Sequence, residues 1–281
     1  MRRRDFLPAL AASAALAQTN STPMKTGRLK QCVTGGVFAR GTSLEDGCKL
    51  AQSLGIVGYD LKGPADWPML KKYGLTPTMY PPGPGGGIID ALNRKENHAK
   101  LEPLMHAAID ESKANGVPNI ITFSGNRAGM ADALGADNCV EFLNKVKAHA
   151  EDKDITICME YLNSKVNHKD YMFDHIAWGV DVMKRVNSPR VKILYDIYHA
   201  QIMDGDIVRN IRDHIKWIGH FHTGGNPDRR EIDETQELNY HFIAQAIADL
   251  KFDGYVGHEY SPRNPANAAA SLKRAIEIFT V

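Results

Sequence analysis

Eight short apolar segments alternate with helical segments along this chain, and no other feature restricts the fold as strongly. Most are nearly continuous apolar runs, which is typical of strands buried on both faces. A repeating strand–helix order predicts parallel strands with right-handed crossovers, so we expect a single-domain (β/α)8 TIM barrel. An open doubly wound sheet is the alternative, but no G-x-G-x-x-G motif follows a strand. The predicted strands are 29–34, 56–61, 75–79, 119–123, 155–161, 191–196, 217–222 and 255–259.

Four of these predicted strands end in a side chain that can bind a metal ion. In a barrel of parallel strands, the strand ends meet at the C-terminal face, where active sites lie. Three carboxylates and one imidazole suit a single divalent cation (Mn, Mg, Co or Zn), and they leave two glutamates available for proton transfer. The candidate metal ligands are Glu160, Asp196, His222 and Glu259.

The first 17 residues have the composition of an export signal. Three arginines at positions 2–4 precede a short apolar stretch, and Ala15-Leu16-Ala17 resembles a cleavage site. The arginine pair followed by Asp5 and Phe6 resembles a twin-arginine signal. We therefore expect export to the periplasm, with residues 1–17 as the signal, 18–28 as a linker and 29–281 as the barrel. No stable membrane anchor is expected after cleavage, because the apolar stretch is too short.

Charge and cysteine content exclude several classes of function. The chain has 34 basic and 33 acidic residues, and removal of residues 1–17 would leave 31 and 32. Such a balance gives no electrostatic support for a nucleic-acid partner. The four cysteines form no C-x-x-C pair, so a zinc knuckle or a redox motif is not expected. The expected partner is a small molecule.

Several segments in the second half resemble the hydroxypyruvate isomerase family, within the larger xylose isomerase-like group of barrels. The resemblance runs from about Gly116 to Pro262. It is carried by GVPNIITFSGNRAG, RVKILYDIYHAQIMDGD, IGHFHTGGNPDRREI and LKFDGYVGHEYSP. It implies that one divalent ion is bound by the four residues named above, and that Glu160 and Glu259 form an acid/base pair. A homodimer is compatible with the family, but the sequence pattern does not require one.

The resemblance also suggests residues that contact the substrate. His199 matches a histidine that follows the sixth strand, and Arg229 matches an arginine of the seventh loop, although Arg230 makes that choice ambiguous. Asn126 follows the fourth strand and is a second candidate. Asp60 ends the second strand and is expected either to bind substrate or to cap a helix.

Two histidines lie close together on the seventh strand. His222 is taken as the metal ligand because it is nearer the strand end. His220 is expected to be a packed, hydrogen-bonded core residue that faces the opposite side of the strand.

These residues favour a metal-dependent isomerase or epimerase of a small hydroxy-carbonyl compound or sugar, acting through an enediolate. A lyase or dehydratase on an oxidised sugar or polyol uses the same intermediate and stays open as an alternative. A sugar-binding barrel without activity is a third possibility, although both glutamates are present. A barrel endonuclease would need further histidines at the ends of the second and third strands, which the sequence lacks.

Overall fold

The structure is a computed structural model, and it describes residues 27–281. Within this range, parallel strands form one sheet in the order β3-β2-β1-β8-β7-β6-β5-β4. Each predicted strand is present, with ends displaced by no more than two residues. The strands are β1 (Lys30–Val33), β2 (Gly58–Asp60), β3 (Thr76–Met79), β4 (Asn119–Thr122), β5 (Thr156–Glu160), β6 (Val191–Asp196), β7 (Ile218–Thr223) and β8 (Tyr255–His258).

The sheet closes into a barrel between β3 and β4. Tyr80, directly after β3, donates its backbone N–H to the carbonyl of Asn119 at 2.8 Å. The N–H of Ile121 donates to the carbonyl of Tyr80 at 3.4 Å. Because the two ends of the sheet are joined and helices alternate with the strands, the predicted (β/α)8 barrel is confirmed.

Helices connect the strands, and the two shortest within residues 27–281 have six and seven residues. α2 is only six residues long and carries Pro68 near its start, so it shows little helical periodicity. α6 begins directly after β6, where the side chain of Asp196 accepts the N–H of His199. The helices are α1 (Leu44–Ser53), α2 (Trp67–Lys72), α3 (His98–Asn115), α4 (Asp132–Lys153), α5 (Ile176–Val186), α6 (Ile197–Met203), α7 (Ile207–His214), α8 (Tyr240–Asp249) and α9 (Ala268–Phe279).

The described residues leave the export prediction untested. The signal at 1–17 and most of the linker at 18–28 lie outside them, so both stay predictions. None of the helices within 27–281 has the length and the apolar character needed to cross a membrane. All four cysteines are buried and unpaired with one another.

Ser43 defines the start of α1, and its removal provides a test of the local structure. Its Oγ accepts the N–H of Asp46 at 3.1 Å, which satisfies a donor that the helix itself cannot. We expect Ser43→Ala to lower the free energy of unfolding by about 1 kcal/mol. Urea denaturation would show this as a lower midpoint with an unchanged slope.

Ser53→Ala is the matched control in the same helix. Its hydroxyl bonds the carbonyl of Leu50 at 2.8 Å and caps no helix N-terminus. Equal midpoint shifts in the two variants would contradict the capping role of Ser43.

Candidate functional site

The register of the strands brings the four candidate metal ligands to one level of the barrel. Asp196 of β6 lies opposite His222 of β7, and His222 lies opposite Gly257 of β8, two residues before Glu259. Glu160 is the last residue of β5, which pairs with β6. One ligand atom from each of the four lies within 4.8 Å of those from the other three. The geometry therefore forms one candidate metal centre.

The ring of His222 is oriented by Asp60. Its Nε2 lies 3.1 Å from Oδ2 of this fully buried carboxylate, so Nε2 carries the proton and Nδ1 has the lone pair. Nδ1 lies 2.6 Å from Oε2 of Glu259 and 3.5 Å from Oε1 of Glu160. Nδ1 is buried, so these carboxylates rather than solvent surround it. A lone pair this close to two carboxylates requires a positive charge, either a proton or a metal cation, between them.

Both oxygens of Asp60 are occupied by protein donors. Oδ1 accepts the hydroxyl of Thr78, and Oδ2 accepts Sγ of Cys32 at 3.3 Å and Nε2 of His220 at 2.8 Å, besides His222. Burial acts to raise the pKa of Asp60, but the two histidines outweigh it and lower the pKa below its ordinary value. The carboxylate is thus ionised and fully bonded. The geometry favours a role in positioning His222 over the predicted contact with substrate.

The expectation that His220 and His222 face opposite sides of β7 is wrong. Their ring centroids lie 5.1 Å apart, and both Nε2 atoms face the same oxygen of Asp60. Side chains alternate along a strand, so residues two positions apart share a face. Phe221, between them, packs against Phe252 with ring centroids 4.8 Å apart. His220 is nevertheless a buried, hydrogen-bonded core histidine, as expected.

Arg229, and not Arg230, enters the site from the loop after β7. Its Nη2 donates to Oδ2 of Asp196 at 2.6 Å and to Oε2 of Glu259 at 2.7 Å. Its Nη1 lies 2.9 Å from Nε2 of His199. Arg230 instead makes a long contact, 3.5 Å, with the carbonyl of Ser261. Arg229 is therefore the arginine of this pair that contacts the candidate ligands, and its contact with substrate stays a prediction.

His199 is held against the site by Asn163, a residue that the sequence did not single out. The N–H of Asn163 donates to Nδ1 of His199 at 3.3 Å, and Nδ2 of Asn163 lies 2.5 Å from it. Burial lowers the pKa of His199 well below its ordinary value, and Arg229 adds to this, so the ring is neutral. In the sequence, the feature that could have indicated a role for Asn163 is its position three residues after Glu160.

The electrostatics of the four residues call for a cation. Burial raises the pKa of Glu160 to about 7, with a contribution from Glu259, and it also raises the pKa of Asp196. At Glu259 burial acts in the same direction, but His222 and Arg229 outweigh it and lower the pKa to about 2. Burial would lower the pKa of His222, but Glu259 outweighs it and the pKa is raised well above its ordinary value. The donor set, three oxygens and one nitrogen, fits a divalent metal ion.

A second group, Cys32, Asp60 and His220, also has ligand atoms within 4.8 Å of one another. Burial raises the pKa of Cys32, and Asp60 raises it further, so the sulfur carries a proton. A thiol and two imidazoles that donate to one carboxylate need no cation. This group is best described as a hydrogen-bonded support beneath the first.

Asn126 lies in the loop after β4. Its carbonyl accepts Nδ2 of Asn93 at 2.7 Å and Nη2 of Arg94 at 3.1 Å, and it pairs with Tyr171 through an isolated bridge. Within residues 27–281, no hydrogen bond joins it to the four candidate ligands. Its contact with substrate stays a prediction.

Gly257 leaves room for the pair formed by Asp60 and His222. A Cβ at this position would lie 2.5 Å from Oδ2 of Asp60 and 2.8 Å from Cδ2 of His222. We expect Gly257→Ala to lower the free energy of unfolding by about 1–3 kcal/mol, as overpacked cores do, in thermal or urea denaturation. Gly87→Ala, where a Cβ meets nothing within 4 Å, is the control. Equal stability of the two variants would show that the side chains around Asp60 rearrange at little cost to accept the added methyl group.

The positioning role of Asp60 can be tested by metal binding. Asp60→Asn removes the negative charge and replaces one of the two acceptor oxygens by an NH2 group, so the Nε2 proton of His222 is held less strongly. We expect the dissociation constant for Mn²⁺ to rise about 10–100-fold, measured by isothermal titration calorimetry. Asp66→Asn is the matched control, because Asp66 precedes α2 without capping it through its side chain. An unchanged affinity in Asp60→Asn would exclude the positioning role.

Comparisons with known proteins identify relatives of this chain. It is 30% identical over 166 residues to the hydroxypyruvate isomerase of Escherichia coli, covering 58% of this chain and 62% of that protein. It is 26% identical over 235 residues to the 2-oxo-tetronate isomerase of Pectobacterium atrosepticum, covering 78% and 86%. Alignments with vertebrate relatives from Danio rerio and Homo sapiens span 42% and 64% of those proteins, less than two thirds of their length.

Similarity to solved structures and to a family model establishes the family. A crystal structure described as an AP endonuclease, family 2, from Brucella melitensis superimposes with a TM-score of 0.78 at 26% identity. The match covers 87% of this chain and 97% of that one. The family model described as a xylose isomerase-like TIM barrel matches residues 68–280. The chain therefore belongs to the xylose isomerase-like TIM barrel family.

Proposed function

We propose that this protein is a divalent-metal-dependent isomerase or epimerase of a small compound that carries a carbonyl beside a hydroxyl. The observation that carries the proposal is the buried Nδ1 of His222, which lies 2.6 Å from Glu259 and 3.5 Å from Glu160, an arrangement that a cation would stabilise. Nδ1 is available as a metal ligand because Asp60 holds the proton on Nε2. The isomerase relatives support the type of reaction.

The residues of the cluster have distinct tasks in this chemistry. Glu160, Asp196, His222 and Glu259 would hold a divalent cation, which supplies polarisation of the substrate carbonyl and so acidifies the neighbouring C–H. One glutamate accepts the proton from this carbon as the C–H bond breaks. The electron pair of the broken C–H bond forms the double bond of an enediolate. Return of a proton to the adjacent carbon gives the isomer once the hydroxyl proton has moved to the former carbonyl oxygen. Return of the proton to the same carbon from the other face gives the epimer.

Arg229 and His199 complete the polar surface around the reacting carbons. The guanidinium of Arg229 bridges Asp196 and Glu259, so it keeps the Glu259 carboxylate ionised and fixed in direction. Neutral His199 contacts the other guanidinium nitrogen. We propose that these two side chains orient the substrate oxygens.

The other candidate functions remain distinguishable by experiment. A lyase would expel a substituent from the same enediolate and yield an unsaturated or dehydrated product. A sugar-binding barrel would show no exchange of substrate protons with solvent. The endonuclease alternative is not favoured, because β2 ends at Asp60 and β3 at Met79, where no histidine is present.

Deuterium exchange tests the proposal directly. Mn²⁺-loaded protein would be incubated in D₂O with small ketoses, hydroxyaldehydes and keto acids, and the products read by NMR and mass spectrometry. We expect exchange at the carbon beside the carbonyl, lost on treatment with a chelator and restored by Mn²⁺. Glu160→Gln and Glu259→Gln should each lower the exchange rate roughly 10²–10⁴-fold, the usual contribution of a positioned acid or base.

Glu237→Gln is the matched control, since Glu237 is exposed and contacts Gln201 at 3.3 Å. It should exchange at the rate of the unmodified protein. Full activity in both catalytic variants would refute the acid/base assignment, and full activity after chelation would refute metal dependence.

A further inference from the structure

A separate cavity lies at the end of the barrel opposite the metal centre, where the strands begin. It has a volume of about 570 Å³, within the range of roughly 300–1,000 Å³ that is usual for small-molecule sites. Its walls include Lys30 at the start of β1, Lys192 near the start of β6 and Tyr255 at the start of β8. Of the residues within 27–281 that line it, none is a candidate metal ligand. The cavity is therefore distinct from the site described above.

The lysines of β1 and β6 are directed into this end of the barrel. Residues an even number of positions apart on a strand share a face. Lys192 thus shares the inner face of β6 with Asp196, which lies about 13 Å further along the strand. Lys30 shares a face of β1 with Cys32, whose sulfur contacts Asp60 inside the barrel.

Each of these two ammonium groups keeps free hydrogen-bond donors. Lys30 donates to the carbonyl of Asp253, and Lys192 donates to the carbonyl of Lys216, both at 2.5 Å. Those carbonyls lie shortly before β8 and β7. Among residues 27–281 neither lysine makes a further hydrogen bond, so each retains two N–H groups for a ligand.

Glycine at two positions makes room for the walls of the cavity. A Cβ at Gly219 would lie 2.8 Å from Cβ and 3.1 Å from Cγ of Lys192. A Cβ at Gly254 would lie 2.5 Å from Cζ of Phe252 and 2.7 Å from the carbonyl oxygen of Gly219. The half-buried stem of Lys192 is thereby packed against β7 and forms a fixed part of the wall.

The acidic side chains on the walls do not neutralise the cations. Asp154 is paired with Arg190. Asp253 is exposed, and its carboxylate makes no ion pair within the described part of the chain. These are the two acids on the walls, against five cations, so the net charge is +3. The cations are Lys30, Arg190, Lys192, Lys216 and Lys251.

The acidic residues of the flanking helices do not compensate this charge either. Near the end of α4, Glu151 accepts a serine hydroxyl at 2.5 Å, and at the end of α8, Asp249 pairs with Arg28 at 2.8 Å. Asp152 of α4 and Asp213 of α7 are exposed. Over residues 27–281, none of these four carboxylates lies within ion-pair distance of a lysine of the cavity.

The cations of the cavity destabilise one another. Burial lowers the pKa of Lys192 below its ordinary value, and the positive charges of Arg190 and Lys216 lower it further. A bound anion would offset both effects, because an opposite charge favours the charged form of a lysine.

We propose that this cavity binds a phosphate group, carried either by inorganic phosphate or by a small phosphate ester. Lys30 and Lys192 donate their remaining N–H groups to its oxygens, and the exposed Lys216 contributes charge. A dianion with several free oxygens suits ammonium groups that converge from different strands, and lysine is a common phosphate ligand. Leu250 and Phe252 line the same cavity and give apolar surface to the organic part of an ester.

Three probes test this inference without any turnover. Inorganic phosphate, phenyl phosphate and neutral phenol would be titrated into the Mg²⁺-loaded full chain, and their dissociation constants measured by isothermal titration calorimetry. We expect phenol to bind at least about tenfold more weakly than the better phosphate, as loss of a charged hydrogen bond predicts. Tighter binding of phenyl phosphate than of inorganic phosphate would identify an ester as the ligand, and the reverse would identify the free ion.

Lys30→Gln and Lys192→Gln should each raise the dissociation constant of the phosphates about tenfold. Lys30 is exposed, so its replacement leaves the core unchanged, and circular dichroism would verify the fold of both variants. Lys184→Gln, at an exposed lysine of α5, is the matched control and should bind phosphate as the unmodified protein does.

A lack of phosphate binding to the unmodified protein, or equal affinities in all three variants, would overturn the inference. The titrations would be repeated with a chelator to separate the two ends of the barrel. Binding that persists without metal supports the cavity, whereas binding that disappears would assign the phosphate to the metal centre and refute the proposal.

Discussion

Repulsion among three carboxylates at one end of the barrel is the constraint on which the site depends. Glu160 and Asp196 are buried and Glu259 is partly buried, and a buried charge is costly unless it is paired. Arg229 bridges two of them, and His222 turns its free nitrogen towards the glutamates. Asp60 adds a further buried negative charge near the site. Its two oxygens accept hydrogen bonds from four donors, and these offset the cost of burying the charge. The divalent cation that we propose completes this balance.

The fold was predictable because its determinants are local. Strands covered on both faces require continuous apolar runs, and these runs located all eight strands, including the ends that carry the candidate ligands. The prediction for the direction of His220 was wrong, since residues two positions apart on a strand share a face and the spacing alone places His220 beside His222. The choice of Arg229 over Arg230, and the role of Asn163, depend on loop conformations that no sequence period encodes. The bond between Asp60 and His222 joins residues 162 positions apart, and no local pattern reports it.

The barrel is not equally strong around its circumference. The strands that carry the candidate ligands, β5 to β8, pair over at least four positions each, with one register shift between Ile193 and Leu194 of β6. By contrast, β3 and β4 are joined by two backbone hydrogen bonds at Tyr80, one of them 3.4 Å long. Local opening of a sheet begins where the pairing of its strands is weakest. The junction of β3 and β4 is therefore where we expect the sheet to open first, and an opening there would leave the pairing of the strands that carry the four candidate ligands intact.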